Sequence, residues 1–137
     1  MKTFTINRMI ASSAEKVWSV AGNFLRSPGP GVEVTVEAPG KGPNGVGTER
    51  TITIGSVTVR EQLASVGPGM TFSYKILSGA PLKQHQATAA FTSKGASTEV
   101  RWDVSFLPKV PGTGWIVAMV TKKAINQYLD VVERAVQ

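Results

Sequence analysis

The sequence predicts an α+β protein in which an antiparallel sheet wraps a long C-terminal helix and leaves an enclosed space near the first half of that helix. Two patterns and one turn carry this expectation. From Gly112 to Val136 the residues Ala118, Thr121, Ile125, Tyr128, Leu129, Val132 and Val136 recur at three- and four-residue steps and make one stripe, with Lys123, Asp130, Glu133 and Arg134 off it. From Thr48 onward the chain instead alternates with a period of two, as half-buried strands do. Gly55-Ser56 breaks that alternation with two residues, glycine first, which is the signal of a type II′ hairpin. A helix of about 25 residues is roughly 37 Å long, enough to cross a small domain. Its first two turns, Trp115 to Val120, are apolar on every side and require cover beyond a single sheet face.

The elements follow in order. Residues 2 to 10 alternate as a strand, with Phe4, Ile6 and Ile10 on one side and Thr3, Thr5, Asn7 and Met9 on the other. Ser12-Ser13 offers a helix cap, Glu15 suits the first turn, and Val17, Trp18, Ala21 and Leu25 give a short amphipathic helix to about Leu25. Ser27 to Gly31 ends it with two prolines and two glycines, and Val32 to Ala38 follows as a strand. The loop Gly40-Lys41-Gly42-Pro43-Asn44-Gly45 matches the spacing of a dinucleotide-binding fingerprint, but Pro43-Asn44-Gly45 is turn chemistry and a strand, not a helix, comes next. No cofactor is expected there.

The Gly55-Ser56 hairpin defines a register between Thr48–Ile54 and Val57–Val66. With Ile54 opposite Val57, Ile52 faces Val59, Arg50 faces Glu61 and Thr48 faces Leu63, all on the inner face. Arg50 and Glu61 are therefore an inward-pointing cross-strand ion pair. After the Gly67-Pro68-Gly69 turn, Met70, Phe72, Tyr74 and Ile76 point inward while Thr71, Ser73 and Lys75 point out. A strand from Gln84 to Thr92 presents His85, Ala87, Ala89 and Phe91. Through the Lys94–Ser97 turn it pairs with Thr98–Phe106, so that Trp102 faces Ala87 or Ala89, a large ring over a small residue. Pro108 and Pro111 end that strand.

Composition narrows the function classes. At 137 residues, with 42% hydrophobic and 18% charged, the chain is expected to be one folded domain, 1–137. No apolar run reaches the length of a membrane span, and Lys2–Ile10 alternates instead of forming a signal block, so a cytoplasmic location is expected. Zero cysteines exclude disulfides and thiolate chemistry, and one histidine excludes a His-rich metal site. The net charge of +6 is spread over dispersed basic residues, with Lys122-Lys123 the only adjacent pair. No basic reading face for nucleic acid emerges.

Several fragments, in this order and spacing, resemble the START-like, Bet v 1-like superfamily, and within it the polyketide cyclase/dehydrase-type branch of small bacterial proteins. They are Ala14-Glu15-Lys16-Val17-Trp18, Gly45-Val46-Gly47-Thr48-Glu49-Arg50, Val59-Arg60-Glu61-Gln62-Leu63, Phe72-Ser73-Tyr74, Ala80-Pro81-Leu82, Val100-Arg101-Trp102 and the closing helix. The resemblance implies a helix-grip fold, a curved seven-stranded antiparallel sheet around the C-terminal helix with a short helix after strand 1. It also implies a cavity between sheet and helix for an apolar small molecule. The segment Arg26-Ser27-Pro28-Gly29-Pro30-Gly31 departs from the family pattern, near the expected mouth of that cavity.

Arg50, Glu61, Tyr74, His85 and Trp102 bring polar atoms to the predicted inner face, a polar spot in an apolar pocket that would orient a ligand. The cavity is expected to be completed by Ile52, Val59, Phe72, Ala87 and Ala89 on the sheet and by Trp115 and Met119 on the helix. Arg50 and Glu61 could equally form an internal pair touching no ligand. His85, and with it Glu61, is a candidate proton carrier, or a hydrogen-bonded core residue. Three functions remain open: binding of a small hydrophobic or aromatic molecule, by a monomer or homodimer without metal or cofactor; cyclase, aromatase or dehydratase chemistry; and a chaperone-cofactor-like protein-binding role for the apolar end of the helix.

Overall fold

The computed structural model describes residues 1–137. In chain order it contains β1 (Lys2–Ile10), α1 (Ala14–Ala21), β2 (Val32–Ala38), β3 (Glu49–Ile54), β4 (Val57–Val66), β5 (Thr71–Ser78), β6 (Leu82–Lys94), β7 (Ser97–Pro108) and α2 (Gly114–Ala135). The strands form one antiparallel sheet in the order β1-β7-β6-β5-β4-β3-β2. The sheet curves around α2 in the helix-grip arrangement.

Parity decides which side chains enter. In the β3–β4 hairpin Arg50 pairs with Glu61, Ile52 with Val59 and Ile54 with Val57, the register that the two-residue turn demands. Gly55 sits at φ 59, as the first position of a type II′ turn needs, a value that glycine reaches without a Cβ clash. In the β6–β7 hairpin Trp102 faces Ala89. Ser73 lies on the outer face, opposite in parity to Phe72 and Tyr74, yet is buried, and its hydroxyl pairs with that of Ser65 across the β4–β5 ladder.

The short helix stops earlier than its apolar pattern suggests. Ser13 caps α1 by accepting from the Lys16 N–H, and Gly22 is its C-cap, donating to the Trp18 carbonyl at a position where a Cβ would lie 2.5 Å from the Trp18 ring. The chain then breaks out of the helix, burying Phe24 and exposing Leu25. At positions 43–45, where the glycine-rich spacing occurs, there is a single 3-10 turn with Asn44 at φ 58, and no helix opens there.

The C-terminal half of α2 carries the core. Leu129 and Val132 are completely buried, Tyr128 donates to the Ala21 carbonyl at the end of α1, and Arg8 on β1 reaches Asp130 at 2.7 Å and Glu133 at 2.9 Å. Arg8 shares parity with Phe4 and Ile6, and its long stem lets the guanidinium run from the sheet's inner face to the helix flank. The N-terminal half differs. Its sheet-facing positions include the small residues Ala118, Thr121 and Ala124, and the apolar turns Trp115 to Val120 are uncovered on their outer side. No helix is long and apolar enough to cross a membrane.

Because Leu129 sits where α2, β1 and α1 converge, Leu129→Ala is expected to lower stability by about 2–5 kcal/mol in urea unfolding. A loss below about 1 kcal/mol would show that this half of the helix is not the centre of the core.

Candidate functional site

Small side chains on α2 facing a strongly bent sheet leave a gap, and the gap is a cavity of about 460 Å³. Its sheet wall is built from Ile52, Ile54, Val57 and Val59 of β3 and β4 and from Tyr74 and Ile76 of β5. Its helix wall is built from Val117, Thr121, Ala124, Ile125 and Tyr128. Gly79, Ala80 and Pro81 of the β5–β6 loop, with Ile116 and Val120 of α2, form the rim. The lining is mostly apolar, as small-molecule sites are, and has one polar region.

That region begins with the β3–β4 register. Arg50 and Glu61 are both buried, and the Arg50 Nε and Nη2 each lie 3.0 Å from the same Glu61 oxygen, Oε1. Arg50 Nη1 donates to the Phe24 carbonyl at 3.0 Å, and the guanidinium lies 3.8 Å over the Phe24 ring. The segment after α1 thus supplies a carbonyl and a π face that hold the cation in place. Glu61 Oε2 receives no bond from the protein. Burial pushes the Glu61 carboxyl up in pKa, and this outweighs the pull of Arg50 in the other direction.

Tyr74 adds a second free group. Its hydroxyl oxygen accepts from the Trp102 indole N–H at 3.1 Å, which leaves its own proton without an acceptor in the protein. Burial, reinforced by the charge of Glu61, pushes the phenol up in pKa, so it remains a donor. Burial likewise raises Tyr128. The cavity therefore presents one carboxylate oxygen and one hydroxyl proton on a mostly apolar wall.

The sequence-selected residues other than His85 divide into three groups. Arg50, Ile52, Val59, Glu61, Tyr74 and Trp102 line the cavity. Phe72, Ala87 and Ala89 face inward but lie beyond it: Phe72 stacks with Phe91 and meets Trp18 and Trp102 edge-on or tilted, Ala89 is paired with Phe72 and Trp102 across the sheet, and Ala87 with Tyr74 and Val104. Trp115 and Met119 stand in solvent at 61% and 57% exposure, because helix geometry turns them away from the neighbouring wall residues Ile116, Val117 and Val120. Thr121 and Tyr128 were missed as wall residues although they lie on the predicted stripe, and Ala124, three residues after Thr121, was left out of that stripe; their small or polar-tipped side chains were the available signal.

His85 lies outside the wall, behind Tyr74, with ring centroids 5.6 Å apart. A bulge in β6 between Lys83 and Gln86, with Gln84 at φ 52, turns His85 so that Nδ1 accepts the Ile76 N–H at 2.9 Å. An N–H can only donate, so Nδ1 is unprotonated and the proton of the neutral ring is on Nε2. Nε2 is buried with no partner. Burial lowers the His85 pKa to about 4. The ring replaces a ladder bond where β5 and β6 diverge, which is a structural duty.

A seven-stranded antiparallel sheet curved around a long C-terminal helix defines the helix-grip class of folds. A family model described as polyketide cyclase / dehydrase and lipid transport matches residues 1–136, and the chain belongs to that family. Among solved structures, a START superfamily protein from Mycobacterium smegmatis is similar with a TM-score of 0.77 and 15% identity, covering 98% of this chain and 96% of that one. The protein XoxI from Bacillus cereus is similar at 0.75 and 19%, covering 99% and 96%. A point mutant of norcoclaurine synthase from Thalictrum, bound to a transition-state analogue, is similar at 0.74 and 16%, covering 98% and 93%. No curated protein matches the chain by sequence.

Breaking the buried pair by Glu61→Gln is expected to cost about 3–5 kcal/mol, while the double change Arg50→Met with Glu61→Leu should recover most of it in urea unfolding. The His85 imidazole has a folded pKa of about 4 against 6.5 unfolded, so its contribution is intact above pH 6.5 and falls as the unfolded chain takes up a proton toward pH 4. That loss is about 3 kcal/mol at most. The difference in stability between wild type and His85→Phe should narrow across this window, and a difference constant with pH would contradict the buried neutral ring.

Proposed function

We propose that this protein binds a small hydrophobic molecule carrying a hydroxyl group, held in the cavity between the sheet and α2. The observation that carries the proposal is the pairing of free groups on the wall: Glu61 Oε2 can accept a hydrogen bond and the Tyr74 hydroxyl can donate one. A hydroxyl both donates and accepts, and can therefore satisfy either or both. A ligand carboxylate fits less well. Arg50 is already neutralised by Glu61, so a second anion would add an unpaired buried charge. The family's association with lipid transport and polyketide cyclisation agrees with an apolar ligand of this kind.

A catalytic role is a second reading, and Glu61 supports it. Of the two candidate proton carriers, only Glu61 is on the cavity wall, and its raised pKa brings it toward the range in which a carboxyl can give and take a proton. His85 would act only through Tyr74. In a cyclase- or dehydratase-type reaction, Glu61 would move the proton while Tyr74 polarised a carbonyl.

Native mass spectrometry of protein purified from cells is expected to show a bound apolar compound, and an apolar fluorescent dye should compete with it. Ala124→Phe, which fills the cavity from the helix side, should weaken dye binding by at least about tenfold without loss of the folded circular dichroism spectrum. Dye binding that is unchanged by Ala124→Phe would place the dye elsewhere and remove the cavity from the proposal. Turnover of a true substrate that survives Glu61→Gln would remove the catalytic reading alone.

A further inference from the structure

We propose that the end of the molecule around the cavity mouth is a docking surface for an anionic lipid bilayer. The fold gathers this end from distant parts of the chain. Lys2 at the start of β1 pairs with Phe106 at the end of β7, and Lys83 at the start of β6 pairs with Leu107. The Lys109 N–H donates to the Pro81 carbonyl at 3.0 Å, and the Lys2 stem lies 3.8 Å from where a Cβ on Gly114 would be. Lys122 reaches back over the Phe4 ring at 5.3 Å. Lys2, Lys83, Lys109, Lys122 and Lys123 are all exposed.

The apolar residues are concentrated at the same end. Ten large hydrophobic side chains are exposed in the whole protein, and seven are here: Met1, Leu77, Val110, Trp115, Ile116, Met119 and Val120. On α2 they run directly into the lysines, since Met119 is three residues before Lys122 and Val120 three before Lys123, one helical turn apart on the same face. Trp115 supplies the amphipathic ring suited to the headgroup level of a membrane.

Charge selects the occupant. No Asp or Glu occurs before Glu15, between Glu61 and Glu99, or between Asp103 and Asp130, and these are the stretches that build this end. A second copy docked by the same face would set lysines against lysines with no carboxylate between them. An anionic bilayer complements both features, because it receives the apolar side chains while its headgroups pair with the lysines. Ile116 and Val120 belong both to this surface and to the cavity rim, so docking sets the mouth of the cavity against the lipid. The purpose of docking, exchange of an apolar ligand with the membrane, rests on the cavity proposal above; the surface itself does not.

The test is sedimentation with vesicles of equal parts phosphatidylglycerol and phosphatidylcholine, against vesicles of phosphatidylcholine alone. Binding is expected to the anionic vesicles only and to weaken as salt is raised. Replacing two surface lysines by Lys122→Gln with Lys123→Gln should weaken it by about thirtyfold, and Trp115→Glu with Met119→Glu should reduce it to the phosphatidylcholine level, while Met9→Glu on an exposed site remote from this end should leave it unchanged. Equal binding to both vesicles, no binding to either, or a dimer in light scattering that Trp115→Glu converts to monomer would overturn the proposal. Dye uptake is measured on the same samples. Uptake without vesicle binding overturns docking and leaves the cavity standing; vesicle binding without uptake supports docking and removes the cavity reading.

Discussion

A sheet of seven strands is much wider than the helix it must cover. Six strand spacings of about 4.8 Å span roughly 29 Å, whereas a helix with its side chains is about 10 Å across. Bending the sheet around α2 solves the mismatch on one side only. Where α1, β1 and the C-terminal half of α2 meet, Leu129, Val132 and Tyr128 fill the space and Arg8 ties sheet to helix. Where the helix presents Thr121 and Ala124, nothing large enough remains to fill it, and the cavity is the result.

The polar region of that cavity is affordable because it is balanced internally. Arg50 faces Glu61 across one hairpin, and its remaining donor and π contact are taken up by Phe24, so the pair buries no net charge. This arrangement is also asymmetric. All bonds fall on one Glu61 oxygen, and the Tyr74 hydroxyl is used only as an acceptor, so unused hydrogen-bonding capacity points at the space between sheet and helix. The segment that follows α1 contributes here through Phe24, by positioning Arg50.

The two halves of α2 serve different ends. One half is an ordinary core helix with acids on its flank, held by Arg8. The other has no acidic residue, small residues toward the cavity and large apolar ones toward solvent. Cover for the turns Trp115 to Val120 was expected on hydrophobicity alone; only Val117 and Ala118 receive it, and Trp115, Ile116, Met119 and Val120 stay exposed.

Alternation and turn chemistry by themselves determined the inner face of β3 to β7 and the Arg50–Glu61 register, because a two-residue turn and a period of two leave no freedom in pairing; they left Trp102 opposite Ala87 or Ala89, and the pairing of Lys94 with Ser97 in the structure selects Ala89. The helical stripe from Ala118 to Val136 was legible for the same reason. Which inward residues reach the cavity was not. Parity gives a direction but no depth, so Phe72, Ala87 and Ala89 could not be told from Tyr74, and the bulge that turns His85 onto the β5 backbone leaves no mark in a simple alternating pattern. Nor does spacing along the chain reveal the basic end, for Lys2, Lys83, Lys109 and Lys122 are far apart in sequence and become neighbours only when strand ends and the start of α2 converge.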